Sequence, residues 1–188
     1  MNLFRSIRTV TGASGDGYVD WPAVAEAAKA STDAGHLDLS DAERAGYAAD
    51  VRDARDRLRS LGDVAFDLPD AIEIQNRHHW IDANVDTFQR VMAPVEREAP
   101  RALFPGVTRV VNTGSLSVML AFLGRNVLGQ YDPLLLAEAA PGDRDHALYF
   151  VHPNISAVAE TLDVEEARFR RWIAFHEVSH AAEFGAAP

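Results

Sequence analysis

The chain contains no cysteine, and Lys29 is the single lysine among its 18 basic residues. The first absence removes disulfides and thiolate ligands together, so any metal must be held by His, Asp or Glu. Basic residues of either kind are outnumbered by 28 acids, which leaves a net charge of −10 over 188 residues. Such a surface repels phosphate, so nucleic acid and anionic membrane are not expected as partners. No run of eighteen apolar residues occurs, and no apolar stretch of signal-peptide length follows Met1-Asn2-Leu3-Phe4-Arg5-Ser6-Ile7-Arg8. Neither a membrane span nor secretion is therefore expected, and the reading is a cytoplasmic protein. Repeats and low-complexity tracts are also missing. The acidic coat suits concentrated salt or a GC-rich genome, and equally an ordinary acidic cytoplasmic protein.

What is present is a hydrophobic content of 47%, enough for a sizeable core. One stretch near the end, Phe169-Arg170-Arg171-Trp172-Ile173-Ala174-Phe175-His176-Glu177-Val178-Ser179-His180, carries H-E-x-x-H. On a helix, histidines at i and i+4 stand one turn apart on one face, within reach of a single zinc ion at about 2.0–2.1 Å. Glu177, rotated about 100° from His176, can take a proton from a water whose pKa the metal lowers to about 7. With 7 His in the chain, a chance match has a probability of roughly one to two per cent, so context has to carry the rest. Phe169, Trp172, Ile173, His176, His180 and Glu183 or Phe184 follow 3.6-residue spacing. The histidines are therefore expected to continue an apolar stripe that faces the interior.

In order, residues 1–19 read as an irregular arm through Gly12, Gly15 and Gly17, followed by a single domain over 20–188. A helix is expected from Asp20-Trp21-Pro22 to Ser31. The capping box Ser40-Asp41-Ala42-Glu43 predicts a long helix to about Leu61, closed by Gly62. Ala71 to Asn76 fits a strand or a helix entry. Trp80, Ile81, Asn84, Val85 and Phe88 mark a further helix that Pro94 interrupts or kinks. Adjacent His78 and His79 point about 100° apart, which favours a helix-start or surface role over metal binding. Asn112 to Leu128 reads as a central helix, apolar nearly all round. A turn at Gln130 to Pro133 leads to a strand at Leu134 to Leu136, then a turn at Pro141 to Arg144. Ala147 to Val151 is the clearest strand. Ser156 to Leu162 is a short helix, and Asp163 is the expected N-cap of the metal helix.

Four segments in this order, Trp80-Ile81-Asp82-Ala83-Asn84 with Phe88, Val127-Leu128-Gly129-Gln130-Tyr131-Asp132, Val151-His152-Pro153-Asn154-Ile155 and Phe169 to His180, resemble a zincin-like family of proposed zinc hydrolases. The family occurs in actinobacteria, chloroflexi and haloarchaea, and some members are linked to deazaflavin coenzyme biosynthesis. The resemblance spans Trp21 to the last residue. It implies an α+β fold, predominantly helical, with a small, mostly antiparallel sheet beside the metal-binding helix. It also implies a metallopeptidase or amidase-like hydrolase acting on a peptide or amide substrate, with zinc held by His176 and His180 and Glu177 as the base. Tyr149-Phe150-Val151 would be the edge strand against which an extended substrate lies, with Tyr149, Phe150 and His152 as substrate-binding candidates. Tyr131 and Asp132 rank behind them.

Family members look about twice as long as this chain, and in related zincins the third ligand comes from beyond the second histidine. Within this sequence the downstream candidate is Glu183, seven residues after His176. The resemblance thus leaves two expectations side by side. One is an active zinc hydrolase. The other is a catalytically incomplete binding or structural module, completed by a second chain or associating with its own copies through an uncovered apolar patch near His180.

Overall fold

A computed structural model describes residues 2–62, 66, 68, 72–100, 102–132 and 147–186. Among them are seven helices and three strands, in the order α1 (Leu3–Thr11), α2 (Trp21–Ala30), α3 (Asp41–Gly62), β1 (Ile72–Gln75), α4 (Arg77–Glu98), α5 (Pro105–Asn126), β2 (Gly129–Asp132), β3 (Ala147–Val151), α6 (His152–Thr161) and α7 (Glu166–Ala186). The predominantly helical α+β class is as expected. The chain divides into two compact units, Met1–Gly35 with Arg77–Asn126, and His36–Asn76 with Val127–Pro188.

The first unit is all helical. The expected irregular arm is in part the helix α1, because Phe4, Ile7 and Val10 recur every third residue before the glycines begin, and the Asn2 side chain caps it by accepting from Arg5 N–H. Asp20 caps α2 by accepting from Ala23 N–H at 3.0 Å, and Pro22 takes the first turn. Pro94 lies within α4 without ending it; it is exposed there. Asn84 is a core amide donating to the Trp80 carbonyl, and His78 meets the Thr32 carbonyl at 2.8 Å, a helix-start role.

The helix α5 departs further from expectation. By length and hydropathy it could cross a membrane, yet its buried residues include Arg109, Thr113 and Ser117, while Val107, Val111, Val118 and Phe122 are exposed. The buried polar groups are matched. Thr113 Oγ1 accepts from Asp20 N–H, Ser117 Oγ donates to the Thr113 carbonyl, and Arg109 donates to the carbonyls of Ser14 and Gly17. Hydrogen-bond demand thus set the inner face of this helix, where overall apolarity had suggested a core on all sides.

The second unit holds the sheet, in the order β1-β3-β2. β1 runs parallel to β3 with Ile74 opposite Phe150, and β2 runs antiparallel with Gly129 opposite Phe150. The sheet is therefore mixed, where a mostly antiparallel one was expected, and β3 is its central strand. Gln130 to Asp132, expected as a turn, belong to β2. The expected strand at Leu134 to Leu136 and turn at Pro141 to Arg144 lie outside the described residues.

One sheet face, with Ile72, Ile74, Tyr131, Leu148 and Phe150, joins a core with Tyr47, Val51 and Ala54 of α3 and Ile173, Ala174, Val178 and Ala181 of α7. The Ser40–Glu43 capping box is formed, with Ser40 N–H donating to Glu43 at 2.7 Å and Glu43 N–H to Ser40 Oγ at 3.3 Å. Arg170 ties α7 to α3 through Asp50 at 2.7 Å and lies over the Tyr47 ring at 5.1 Å. The helix α7 starts at Glu166. Asp163, expected as its cap, has φ 52° and instead turns the chain after α6, a conformation that Asp tolerates better than most residues.

Candidate metal centre

The helix α7 buries Ile173, Ala174, Glu177, Val178 and Ala181, a set at 3.6-residue spacing. His176 lies on the exposed flank, and the His180 side chain is 41% exposed. This corrects the expectation that both imidazoles face inward. Trp172 had suggested the wrong stripe: Phe169 is half-buried against the core, whereas Trp172 lies outside it and its ring is covered by neighbouring rings of the same helix. Phe169 stacks on Trp172 at 6.0 Å and 19°, and Trp172 stacks on His176 at 5.8 Å and 9°, with Trp172 still 60% exposed. The small residues Ala174 and Ala181 let the other face approach the sheet and α3.

With burial of the histidines withdrawn as an argument, the metal assignment rests on geometry. The two Nε2 atoms converge to 3.3 Å, their rings 4.6 Å apart and steeply inclined at 74°. Two nitrogens bound to one tetrahedral zinc at about 2.0–2.1 Å stand about 3.3 Å from each other. The pair therefore fits zinc, and its nitrogens suit that ion. Glu183 approaches His180 Nδ1 at 3.4 Å, the ring nitrogen turned away from His176. That is the position of a carboxylate that orients an imidazole, not of a ligand beside the Nε2 pair. Among the described residues no group of three or more His, Asp or Glu gathers to hold a metal.

Glu177 is only 6% exposed, although the two histidines of the motif are accessible. Burial pushes its pKa up to about 7; the nearby His180 and the backbone N–H of Tyr131, which donates to the carboxylate, pull in the opposite direction. A carboxyl poised near neutrality, beside two imidazoles that fit a metal, can accept and return a proton under ordinary conditions.

The remaining candidates are distributed differently from expectation. Tyr149 and Phe150 lie on the central strand β3, whose two edges are both paired, so this strand is not the edge on which a substrate can lie. Phe150 is fully buried against Tyr47, with ring centroids 5.1 Å apart. The edge next to the metal helix is β2, where the Tyr131 ring lies 6.0 Å from that of Phe184, tilted at 37°, and Asp132 ends the strand. His152 opens α6 and does not sit in an extended linker. Its Nδ1 meets Tyr47 Oη at 3.0 Å and Glu166 at 3.9 Å, and burial lowers its pKa. Glu166 precedes His176 by ten residues, about 15 Å along the helix axis, so His152 is not brought to the histidine pair. A glycine shortly after a helix, as Gly129 is after α5, is ordinarily a helix stop. A glycine within a strand can instead mark a close approach, and here that approach is to Glu177.

A helix with paired histidines and a buried carboxylate, beside a small mixed sheet, is the arrangement of a zincin-type centre. The chain belongs to the zincin-like metallopeptidase family, whose model matches residues 19–188. It is also similar to a solved protein of Chloroflexus aurantiacus described as a proposed hydrolase with a novel fold, at 29% identity and a TM-score of 0.72. The match covers 90% of this chain and 54% of that one, so the chain spans about half the length of its solved neighbour. A comparison with curated proteins gives no match.

Proposed function

We propose that this chain is a zinc-dependent hydrolase of peptide or amide bonds, in which His176 and His180 hold the metal and Glu177 is the general base. The observation that carries the reading is the 3.3 Å convergence of the two Nε2 atoms beside a carboxyl whose pKa lies near 7. When bound, zinc supplies Lewis-acid chemistry, polarising a carbonyl and acidifying water. Glu177 takes a proton from the attacking water at its carboxylate and passes it to the leaving amine. The outward edge of β2 is where an extended substrate can run alongside Glu177. The family and the solved neighbour support a hydrolase.

Glu177→Gln should retain zinc and lose hydrolysis of a fluorogenic peptide library by about two orders of magnitude or more, whereas His176→Ala should lose zinc. Equal metal loss in both variants, read by metal analysis of the purified proteins, contradicts the assignment.

A second reading is favoured by the exposed flank of His176 and by the two-histidine set. In it the chain is a catalytically incomplete module that another polypeptide completes. Zinc content and hydrolysis that rise together only when a second chain is added would favour this reading.

A further inference from the structure

The geometry points to Gly129 as the residue that positions Glu177, an inference that rests on the general-base role of Glu177. A Cβ built at Gly129 would lie 2.6 Å from Glu177 Cγ, 2.9 Å from Cδ and 2.9 Å from Oε1. Real Cβ atoms do not approach other heavy atoms so closely, so with any side chain at 129 something must shift, and all three atoms met belong to the Glu177 side chain. Both residues belong to the same compact unit.

The strand register explains why the place exists. Val151 N–H donates to the Leu128 carbonyl at 2.9 Å, and Gln130 lies opposite Tyr149. In an antiparallel pair the hydrogen-bonded residues alternate, so Leu128 and Gln130 turn their backbone groups toward β3, and Gly129 and Tyr131 turn theirs to the outer edge. The Tyr131 N–H at that edge is the donor that Glu177 accepts. Gly129, two residues earlier on the same edge, provides the gap through which the side chain reaches it. Glu177 is thus laid along the outer edge of β2, held at one oxygen by a backbone donor. Gly129 touches no reacting atom and acts through Glu177, so it is a positioning residue.

The experiment uses the full chain with Gly129→Ala, Glu177→Ala, Glu177→Gln and the Gly129→Ala/Glu177→Gln pair. The Tyr131 amide is followed by NMR chemical shift and hydrogen exchange. It should move upfield and exchange about tenfold faster in both Gly129→Ala and Glu177→Ala. Zinc affinity of Gly129→Ala should stay within about twofold of the parent, since the imidazoles are untouched. Hydrolysis in Gly129→Ala should lose kcat with KM nearly unchanged, and adding Gly129→Ala to Glu177→Gln should lower kcat little further. An unchanged Tyr131 amide in Gly129→Ala overturns the inference. So does a further fall in kcat in the paired variant equal to that in the parent. Parent-like hydrolysis by Glu177→Gln refutes the base reading instead, and the Tyr131 amide still reports separately whether Gly129 seats the carboxylate. If Gly129→Ala does not fold, Gly129→Ala/Glu177→Ala decides. Recovery of folding supports the collision with Glu177, and continued failure places the collision elsewhere and overturns the inference.

Discussion

Glu177 is the residue whose environment differs most from what its type suggests. A glutamate at 6% exposure with a pKa of about 7 titrates above its unfolded value of 4.5, so in the metal-free chain its ionisation opposes folding. The sign follows from linkage. The opposition is absent below about pH 4.5, grows as pH rises toward 7, and is constant above. Glu177→Gln should therefore stabilise the chelator-treated protein at pH 8 by up to about 3 kcal/mol and leave it nearly unchanged at pH 4. Urea unfolding at the two pH values checks this; equal effects at both would show that Glu177 is solvated. The motif itself was legible, since spacing i, i+4 alone brings the imidazoles together. The depth of Glu177 was not, because it depends on a glycine 48 positions earlier in the chain.

At the scale of elements, the metal helix α7 is set against α3 by Arg170, whose ion pair with Asp50 leaves the two side chains only 12% and 14% exposed. The same guanidinium lies over the Tyr47 ring. Arg170→Ala removes one partner of a nearly dry pair and strands the Asp50 charge, which should cost about 3 kcal/mol. Arg170→Met with Asp50→Leu removes both charges and should cost far less than the single change. Thermal unfolding of the single and paired variants measures the difference, and an additive result would mean that the pair is not coupled. The helices here were largely readable from caps and periodicity, as at Asp20 and Ser40. Strand roles were not. Tyr149 and Phe150 have the composition of any half-buried strand, and only pairing on both sides distinguishes a central strand from an edge.

For the whole molecule the question is how completely the centre holds its metal. Two imidazoles leave zinc open positions, and every absent protein ligand lowers affinity. Exposed Trp172 and Phe184, at 60% and 55%, stand on the helix that carries the histidines. The isolated chain should therefore bind zinc weakly and associate beyond its 20.6 kDa mass. Calorimetric zinc titration with light scattering checks both. Tight one-to-one binding on a strict monomer would mean that a carboxylate of this sequence completes the site.

By itself the sequence determined most of the helical segments, the caps at Asp20 and Ser40, and that His176 and His180 project from one helix one turn apart. These are local properties, fixed by backbone geometry within a few residues. Tertiary structure alone decided which face of α7 and of α5 turned inward. A helix with apolar residues on several sides fixes its periodicity but not its rotation. The rotation is chosen by what packs against it and by which buried polar groups find partners. On α7 that choice put Ile173, Val178, two alanines and a glutamate inside and left Trp172 and His176 outside. It could do so because Gly129 leaves room for the Glu177 side chain and the outer edge of β2 offers Tyr131 N–H as its donor.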